Sequence, residues 1–401
     1  MAGDGMSHVE IKGWCPGALR PMLSGDGLIV RIKPFACRIS AAQAHGLADA
    51  ARTHGNGMID LSSRANLQLR GVRPETYAAL FTDLDKLGLL DPSPEEETRR
   101  NIIVTPFPDD AGDSALSAYA IATELERCLA ASDLALPGKF GFAVDCGCER
   151  VLGTAPADVR IERYGDNALL VRADGAPMGL PVTAADAASK ALALARWFLE
   201  TGGGRGGHGR MSAHVRAGTV LPAALAGRRL PMPAAQAPRP GLTAHGALVA
   251  VAFGSMKADT LDAIAGLARE LRLTPWRMIF LPSVDQLPVS SDVIVAGDDP
   301  ILRVEACPGA PTCAQALGET RALARRLAPS ASKGRSLHVS GCAKGCASAS
   351  AKSVTIIATA AGYDIVENGI ASDPPVATGL SPAELLSRLP AVSENFDRAH
   401  L

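Results

Sequence analysis

Apolar and polar positions along the chain fall into two series that echo each other. The first runs from a turn, Arg20-Pro-Met-Leu-Ser-Gly-Asp-Gly27, into the apolar run Leu28–Val30, which predicts a strand. An alanine-rich helix is expected over Ala41–Arg52, and Met58–Ile59 marks a second strand. The series returns at Arg239-Pro-Gly-Leu-Thr-Ala-His-Gly246 followed by Ala247–Val249, with a helix expected over Leu261–Leu271 and a strand at Met278–Ile279. Self-similarity at this scale signals an internal duplication.

A further pair matches at a different offset. Phe142-Ala-Val144 precedes Cys146 as Leu337-His-Val339 precedes Cys342, and Val159–Gly175 parallels Val354–Gly369, each a hairpin pattern ending in Asp-Gly or Asn-Gly. The order is therefore A–B–A′–B′, an α+β chain written twice. Expected boundaries are 14–90 and 239–300 for the A units and 91–200 and 301–395 for the B units. Between them 201–238, rich in glycine and then proline, reads as a flexible loop and linker. Gly202, Gly204 and Gly207 fit a dinucleotide fingerprint by spacing, yet they follow a helix expected over Ala185–Glu200 instead of a strand, so the context for nicotinamide binding is missing.

Composition narrows the function. The 401 residues are 47% hydrophobic and 20% charged, an ordinary globular balance, and the formal net charge of −1 offers no global basic field for nucleic acid. Nine cysteines is an odd number in a chain too large for a disulfide-stapled secreted scaffold. No run approaches the roughly 20 apolar residues of a membrane span, and the N-terminus lacks a basic-then-apolar signal pattern. A cytoplasmic protein with no membrane partner is expected.

The chemistry concentrates in four cysteines. Cys307 and Cys313 lie in Ala-Cys-Pro-Gly-Ala-Pro-Thr-Cys, and Cys342 and Cys346 in Ser-Gly-Cys-Ala-Lys-Gly-Cys. Four thiolates brought to one point are what an iron–sulfur cluster requires. Structural zinc sites pair cysteines two to four residues apart, so the five residues inside the first pair are too many, although the second pair alone would fit. Small residues around the thiolates (Gly309, Ala310, Gly341, Ala343, Gly345) let backbone amides approach the sulfurs. Zinc and simple packing of buried thiols remain the alternatives.

These two cysteine motifs resemble the cluster signature of the nitrite/sulfite reductase family, which carries sirohaem and a 4Fe-4S cluster. The resemblance runs from about Trp14 to about Leu389. It implies two ferredoxin-like halves and two cluster-type domains in the same A–B–A′–B′ order, with Cys307, Cys313, Cys342 and Cys346 as cluster ligands. Three segments point within the family to an oxygen-dependent branch that acts on a metal-free tetrapyrrole of cobalamin biosynthesis: 14–21, from Trp14-Cys15 to Arg20-Pro21; 136–145, from Leu136-Pro-Gly-Lys139 to Asp145; and Ser340–Ala347. The alternative within the family is a sirohaem-dependent nitrite or sulfite reductase. Sulfite reductases carry a second lysine two residues after the first, where this chain has Gly141, which argues against sulfite reduction.

The resemblance also assigns the anion-holding groups: Arg31, Arg64, the Arg100-Asn101 pair and Lys139. Arg70 joins them as a further arginine of the first half. Arginine suits carboxylates through its bidentate fork, and each tetrapyrrole carboxylate needs a cation or amide donor once desolvated. Such a reaction needs oxygen and an electron supply. No flavin or nicotinamide motif is convincing, so an external NADH-linked reductase or ferredoxin is expected. The resemblance further suggests a mononuclear non-haem iron; His45, His54, His245 and His338 are available, with no choice among them. Cys15, Cys37, Cys128, Cys146 and Cys148 read as packing or surface thiols, Glu95–Glu97 as a charged helix start, and Trp14 and Trp276 as core or interface anchors.

Overall fold

A computed structural model describes residues 16–108, 117–165, 168–288, 290–331 and 333–397. Trp14 and Cys15 lie outside the described residues. The described residues form two compact units, one of residues 16–22 and 28–295, the other of 23–27 and 296–397.

The larger unit holds three five-stranded sheets. In the first, Gly27–Ile32 pairs antiparallel with Leu67–Val72, which pairs with Met58–Leu61. The second repeats this with Gly246–Ala250, Met278–Pro282 and Glu270–Leu273. The two repeats exchange a strand. Arg38–Ser40, from the first repeat, closes the second repeat's sheet by pairing with Glu270–Arg272, and Ser255–Lys257, from the second, pairs with Met58–Asp60 of the first. Each exchanged strand is launched by a tight turn with left-handed residues, Ala36 and Cys37 (φ 45° and 58°) in one case, Phe253 and Gly254 (φ 59° and 71°) in the other. The crossing between the repeats is continued by their helices, Ala41–His54 and Ala258–Ala265, through His45–Asp262 at 2.5 Å and Arg52 to Asp259 and Asp262 at 2.8 and 3.3 Å.

The first helix forms where expected. Ser40 and Gln43 make a reciprocal capping box at its start, and Ala44, Leu47, Ala48 and Ala51 are the buried face. The second helix differs from the expected Leu261–Leu271. It ends at Ala265, and Glu270–Leu273 is a strand with alternating burial. Gly266 stops the helix, and the edge of the exchanged strand Arg38–Ser40 is satisfied only if 270–272 are extended.

The third sheet has the order Ile102–Val104, Phe142–Asp145, Val159–Gly165, Ala168–Ala173, Leu180–Val182, the first three strands parallel and the last two antiparallel. The smaller unit repeats this order with Val304–Ala306, Leu337–Ser340, Lys352–Thr359, Gly362–Gly369 and Ala377–Leu380. Helix Ala184–Glu200, capped by Thr183, covers the third sheet, its Phe198 stacked beside Phe140 and so close to the core aromatic Phe142.

The stretch expected as a flexible linker is folded. Gly203 and Gly204 pack on Phe198 and Leu199, a short helix spans Met211–Arg216 with Met211 fully buried, and isolated bridges join Ala234 to Arg150 and Arg229 to Gly179. Gly203, Gly204 and Gly209 are required by close packing, whereas Gly206 and Gly207 stand in open space at positive φ. Gly209 has φ +138°, and a Cβ there would run into the Gly203 carbonyl. Among the described residues no helix is long and apolar enough to cross a membrane.

Candidate functional site

The expected anion-holding residues come from strands and loops of the larger unit, and the structure divides them into two groups. Arg100 and Arg70 are turned inward. Arg100 is 6% exposed and its five donor hydrogens are committed inside the protein. Nε and Nη2 donate to the Asp91 carboxylate, both at 2.7 Å, Nη2 also to Lys33 O at 2.6 Å, and Nη1 to Pro34 O and Glu126 Oε1 at 3.5 and 3.4 Å. Its guanidinium also stacks on Phe35 at 4.0 Å. The Arg100 fork, expected to reach for a ligand carboxylate, is occupied in this structure by Asp91, Glu126 and main-chain carbonyls. Arg70 is 4% exposed, with Asp60 at 3.9 Å, and likewise lines the interior.

Arg31, Arg64 and Lys139 form the second group. Arg31 leaves its strand beside Gln68, to which Nε and Nη2 donate at 3.1 and 2.8 Å. Arg64 sits in the turn Ser62–Asn66, whose shape is set by Ser62 Oγ accepting from the Arg64 and Asn66 amides. Lys139 is exposed on the loop 137–141. Asn101 does not face outward with them. It is buried, and its Nδ2 donates to Thr98 O, Gly138 O and Phe140 O while Oδ1 accepts from Lys33 Nζ at 2.8 Å. A Cβ placed on Gly141 would lie 3.2 Å from Arg64 Nη1 and 3.0 Å from Asn101 O. A side chain at Gly141 would press on the end of the Arg64 side chain and on the Asn101 carbonyl, each of which would have to give by a few tenths of an ångström.

Several functional supports escaped the sequence reading. Lys33 is 8% exposed; burial pulls its ammonium down to about 8, with Glu97 opposing and Arg100 and Arg31 adding to the fall. It donates to Glu97 O at 2.5 Å at the end of helix Pro94–Arg99. Glu97 lies inside the expected charged helix start, yet it is buried. Its carboxylate accepts from the Ala18 and Leu19 amides, and burial raises its carboxyl above the ordinary range. A Cβ on Gly17 would collide with that carboxylate, so the Pro16–Arg20 segment is anchored through its backbone.

The four cysteines lie in the smaller unit, at the ends of parallel strands. Cys307 follows Val304–Ala306, and Cys342 follows Leu337–Ser340 by one residue. The two loops are tied together. Gly341 N donates to Cys307 Sγ at 3.1 Å, Leu317 N to Gly341 O at 2.8 Å, and Cys313 N to Gly309 O at 2.7 Å. Thr320 Oγ1 donates to Cys307 O, and a Cβ on Gly309 (φ +71°) would meet that hydroxyl. Cys346 senses the other three sulfurs: desolvation raises its thiol first, Lys344 opposes, and Cys307, Cys342 and Cys313 raise it further.

The loops fit a cluster in two respects. A backbone amide already points at one sulfur, and Gly309 and Gly341 let the two cysteine loops pack closely against Thr320 and Ala316. Among the described residues no group of three or more His, Cys, Asp or Glu is gathered for a metal ion. His45 pairs with Asp262, His54 with Asp83 at 2.9 Å, His245 lies in the turn before Gly246, and His338 is buried within its strand.

In the larger unit the topologically matching loop carries different chemistry. Thr105 stands after Ile102–Val104 where Cys307 stands after its strand, and Asp145 ends Phe142–Asp145. Asp145 is 1% exposed; Oδ2 accepts from Leu152 N at 2.7 Å, and Oδ1 has no partner among the described residues. Burial pushes its carboxyl up to about 7, with the Leu152 amide opposing and Glu162 adding to the rise. Cys146 is buried and Cys148 exposed; Cys37 is buried, its thiol pushed up to about 12, and Cys128 lies beside Glu124 on its helix. Trp276 packs between two small apolar clusters with Phe107.

The duplicated architecture is the nitrite/sulfite reductase-like fold. Residues 20–87 match the nitrite/sulfite reductase ferredoxin-like half domain. The structure of the Mycobacterium tuberculosis NirA protein superposes with a TM-score of 0.68 over 92% of this chain and 81% of that one, at 16% identity. The chain is similar to one particular protein over nearly its whole length: precorrin-3B synthase from a Sinorhizobium species, 28% identical over 409 aligned positions that cover 94% of this chain and 87% of that protein.

Proposed function

We propose that this chain is a precorrin-3B synthase, an oxygen-dependent monooxygenase of cobalamin biosynthesis. The observation that carries the reading is the similarity to a precorrin-3B synthase across 94% of the chain. In the proposed reaction one atom of O2 enters precorrin-3A at the meso carbon C20, between rings A and D, and the ring-A acetate closes to a lactone on the neighbouring carbon. The second oxygen atom leaves as water, taking two electrons and two protons that an external NADH-linked donor supplies.

Cys307, Cys313, Cys342 and Cys346 would hold a 4Fe-4S cluster, which passes electrons singly. Gly341 N would donate to the Cys307 thiolate, stabilising its negative charge. Arg31, Arg64 and Lys139 would hold substrate carboxylates. Arg70, Arg100 and Asn101 support the loops that carry them and are not part of the contact set. Gly141, standing where the sulfite reductase pattern asks for a second lysine, favours this reading over sulfite reduction.

Anaerobic purification with iron and sulfide analysis, then incubation with precorrin-3A and air, tests the proposal. A brown protein with broad absorbance and a product heavier by one oxygen is expected. A haem-like visible spectrum with nitrite or sulfite turnover would overturn it in favour of a sirohaem reductase. Cys313→Ser or Cys342→Ser is expected to abolish the cluster absorbance, and full retention of iron and sulfide in either variant would refute the ligand assignment. Arg64→Ala is expected to weaken precorrin-3A binding by about tenfold or more, as loss of a charge-assisted hydrogen bond does, with the cluster absorbance unchanged.

A further inference from the structure

In the loop Gly138 to Gly141, three carbonyls and the last amide are held by side chains. Asn101 Nδ2 donates to Gly138 O at 3.3 Å and Phe140 O at 3.0 Å. Arg210 Nη1 donates to Lys139 O at 2.6 Å. Gly141 N donates to Asp158 Oδ2 at 3.0 Å, and Asp158 N returns a bond to Gly141 O at 2.7 Å. Asp158 is fully buried, and its other oxygen accepts from Met211 N at 2.8 Å and pairs with Arg210 Nε at 3.2 Å. Burial raises its carboxyl above the ordinary range, while Arg210 and, more weakly, Arg64 draw it back down.

The geometry points to Arg210 and Asp158 as positioning residues that fix Lys139 for an anionic ligand; what Lys139 touches rests on the tetrapyrrole reading above. The backbone of Lys139 is clamped from both sides while its side chain is exposed. Such clamping adds nothing to the lysine's own burial and serves to limit where its ammonium reaches. The clamp arrives from the glycine-rich segment, whose compact turn delivers Arg210 because Gly209 adopts a φ closed to other residues. One buried carboxylate thus holds both Arg210 and the Gly141 amide, the two sides of the clamp.

A double-mutant cycle tests this, with binding of the octacarboxylate uroporphyrin III followed by fluorescence on the purified full chain. Lys139→Ala is expected to weaken binding by about tenfold, and Arg210→Gln by a similar factor. Added to Lys139→Ala, Arg210→Gln is expected to change the affinity by less than about twofold, because it acts through the lysine. Equal losses in both backgrounds would overturn the proposal and make Arg210 a general support of the scaffold. Hydrogen exchange on the unliganded protein provides the second measurement. Arg210→Gln and the milder Asp158→Asn should speed exchange at the Phe140 and Gly141 amides, with the sheet amides of Val159–Gly165 unchanged. If uroporphyrin fails to bind any form while exchange rises locally, the clamp stands and the ligand assignment falls. If exchange is unchanged at 140–141, the clamp falls whatever binds.

Discussion

Arg100→Ala is expected to lower stability by roughly 3–5 kcal/mol, the cost of breaking a buried ion pair from one side. Asp91 and Glu126 are 8% and 9% exposed, and without the guanidinium both carboxylates face a low-dielectric interior with little compensation. Desolvation alone would lower the Arg100 pKa, yet hydrogen bonds and charge from Asp91, then Glu126, raise it above its usual value. The guanidinium also satisfies the carbonyls of Lys33 and Pro34. Urea unfolding checks the effect, and adding Asp91→Asn to Arg100→Ala should return part of the loss. A midpoint unchanged in Arg100→Ala, together with a tenfold or larger fall in tetrapyrrole affinity, would restore Arg100 to the ligand-binding set.

Asp145→Asn has the opposite sign. The folded protein holds the Asp145 proton up to about pH 7, whereas the model-peptide value is 3.8. Between those values the native state binds more protons than the unfolded chain, so this group's contribution to stability falls as pH rises. The penalty is complete above pH 7 and absent below pH 4. The gap corresponds to about 4 kcal/mol at most. Asparagine keeps the acceptor for Leu152 N and removes the charge, so the variant should be more stable than the parent at pH 8 and close to it at pH 4.5. Equal differences at the two pH values, measured as urea midpoints, would show that the carboxyl does not titrate as described.

Much of the architecture was legible because duplication leaves a pattern that needs no alignment. The strand–helix–strand series beginning at Arg20 and Arg239, and the hairpins at Val159 and Val354, all appear as strands and helices. The limits have physical causes. Arg38–Ser40 and Ser255–Lys257 are three residues each, too short to show a period, and their partners lie more than 190 positions away, so no local signal announces the exchange. The error over Leu261–Leu271 follows from it, since 270–273 are extended to meet a strand from the other repeat.

The site shows the same division. The cysteine pairs stand out because thiolate spacing is itself a statement of chemistry. An arginine carries no such statement: Arg100 and Arg64 look alike in sequence, and only the fold reveals that one is filled by Asp91 while the other leaves its loop beside Gly141. Arg210 was hidden among glycines that read as a tether, and Asp158 lies at the edge of a hairpin whose apolar residues drew the attention. The sequence signals that would have found them are Gly209 before an arginine and a lone acid preceding Val159, both too common to weigh alone.

The strand exchange ties the fate of the two repeats together. Removing either repeat deprives the other of a sheet edge and exposes a row of unpaired backbone groups on Met58–Asp60 or Glu270–Arg272. Neither copy can be trimmed back to an autonomous ancestor-like piece. Sequence drift in one is policed by the survival of the other, which leaves each copy free to specialise its loops while its frame stays under joint custody.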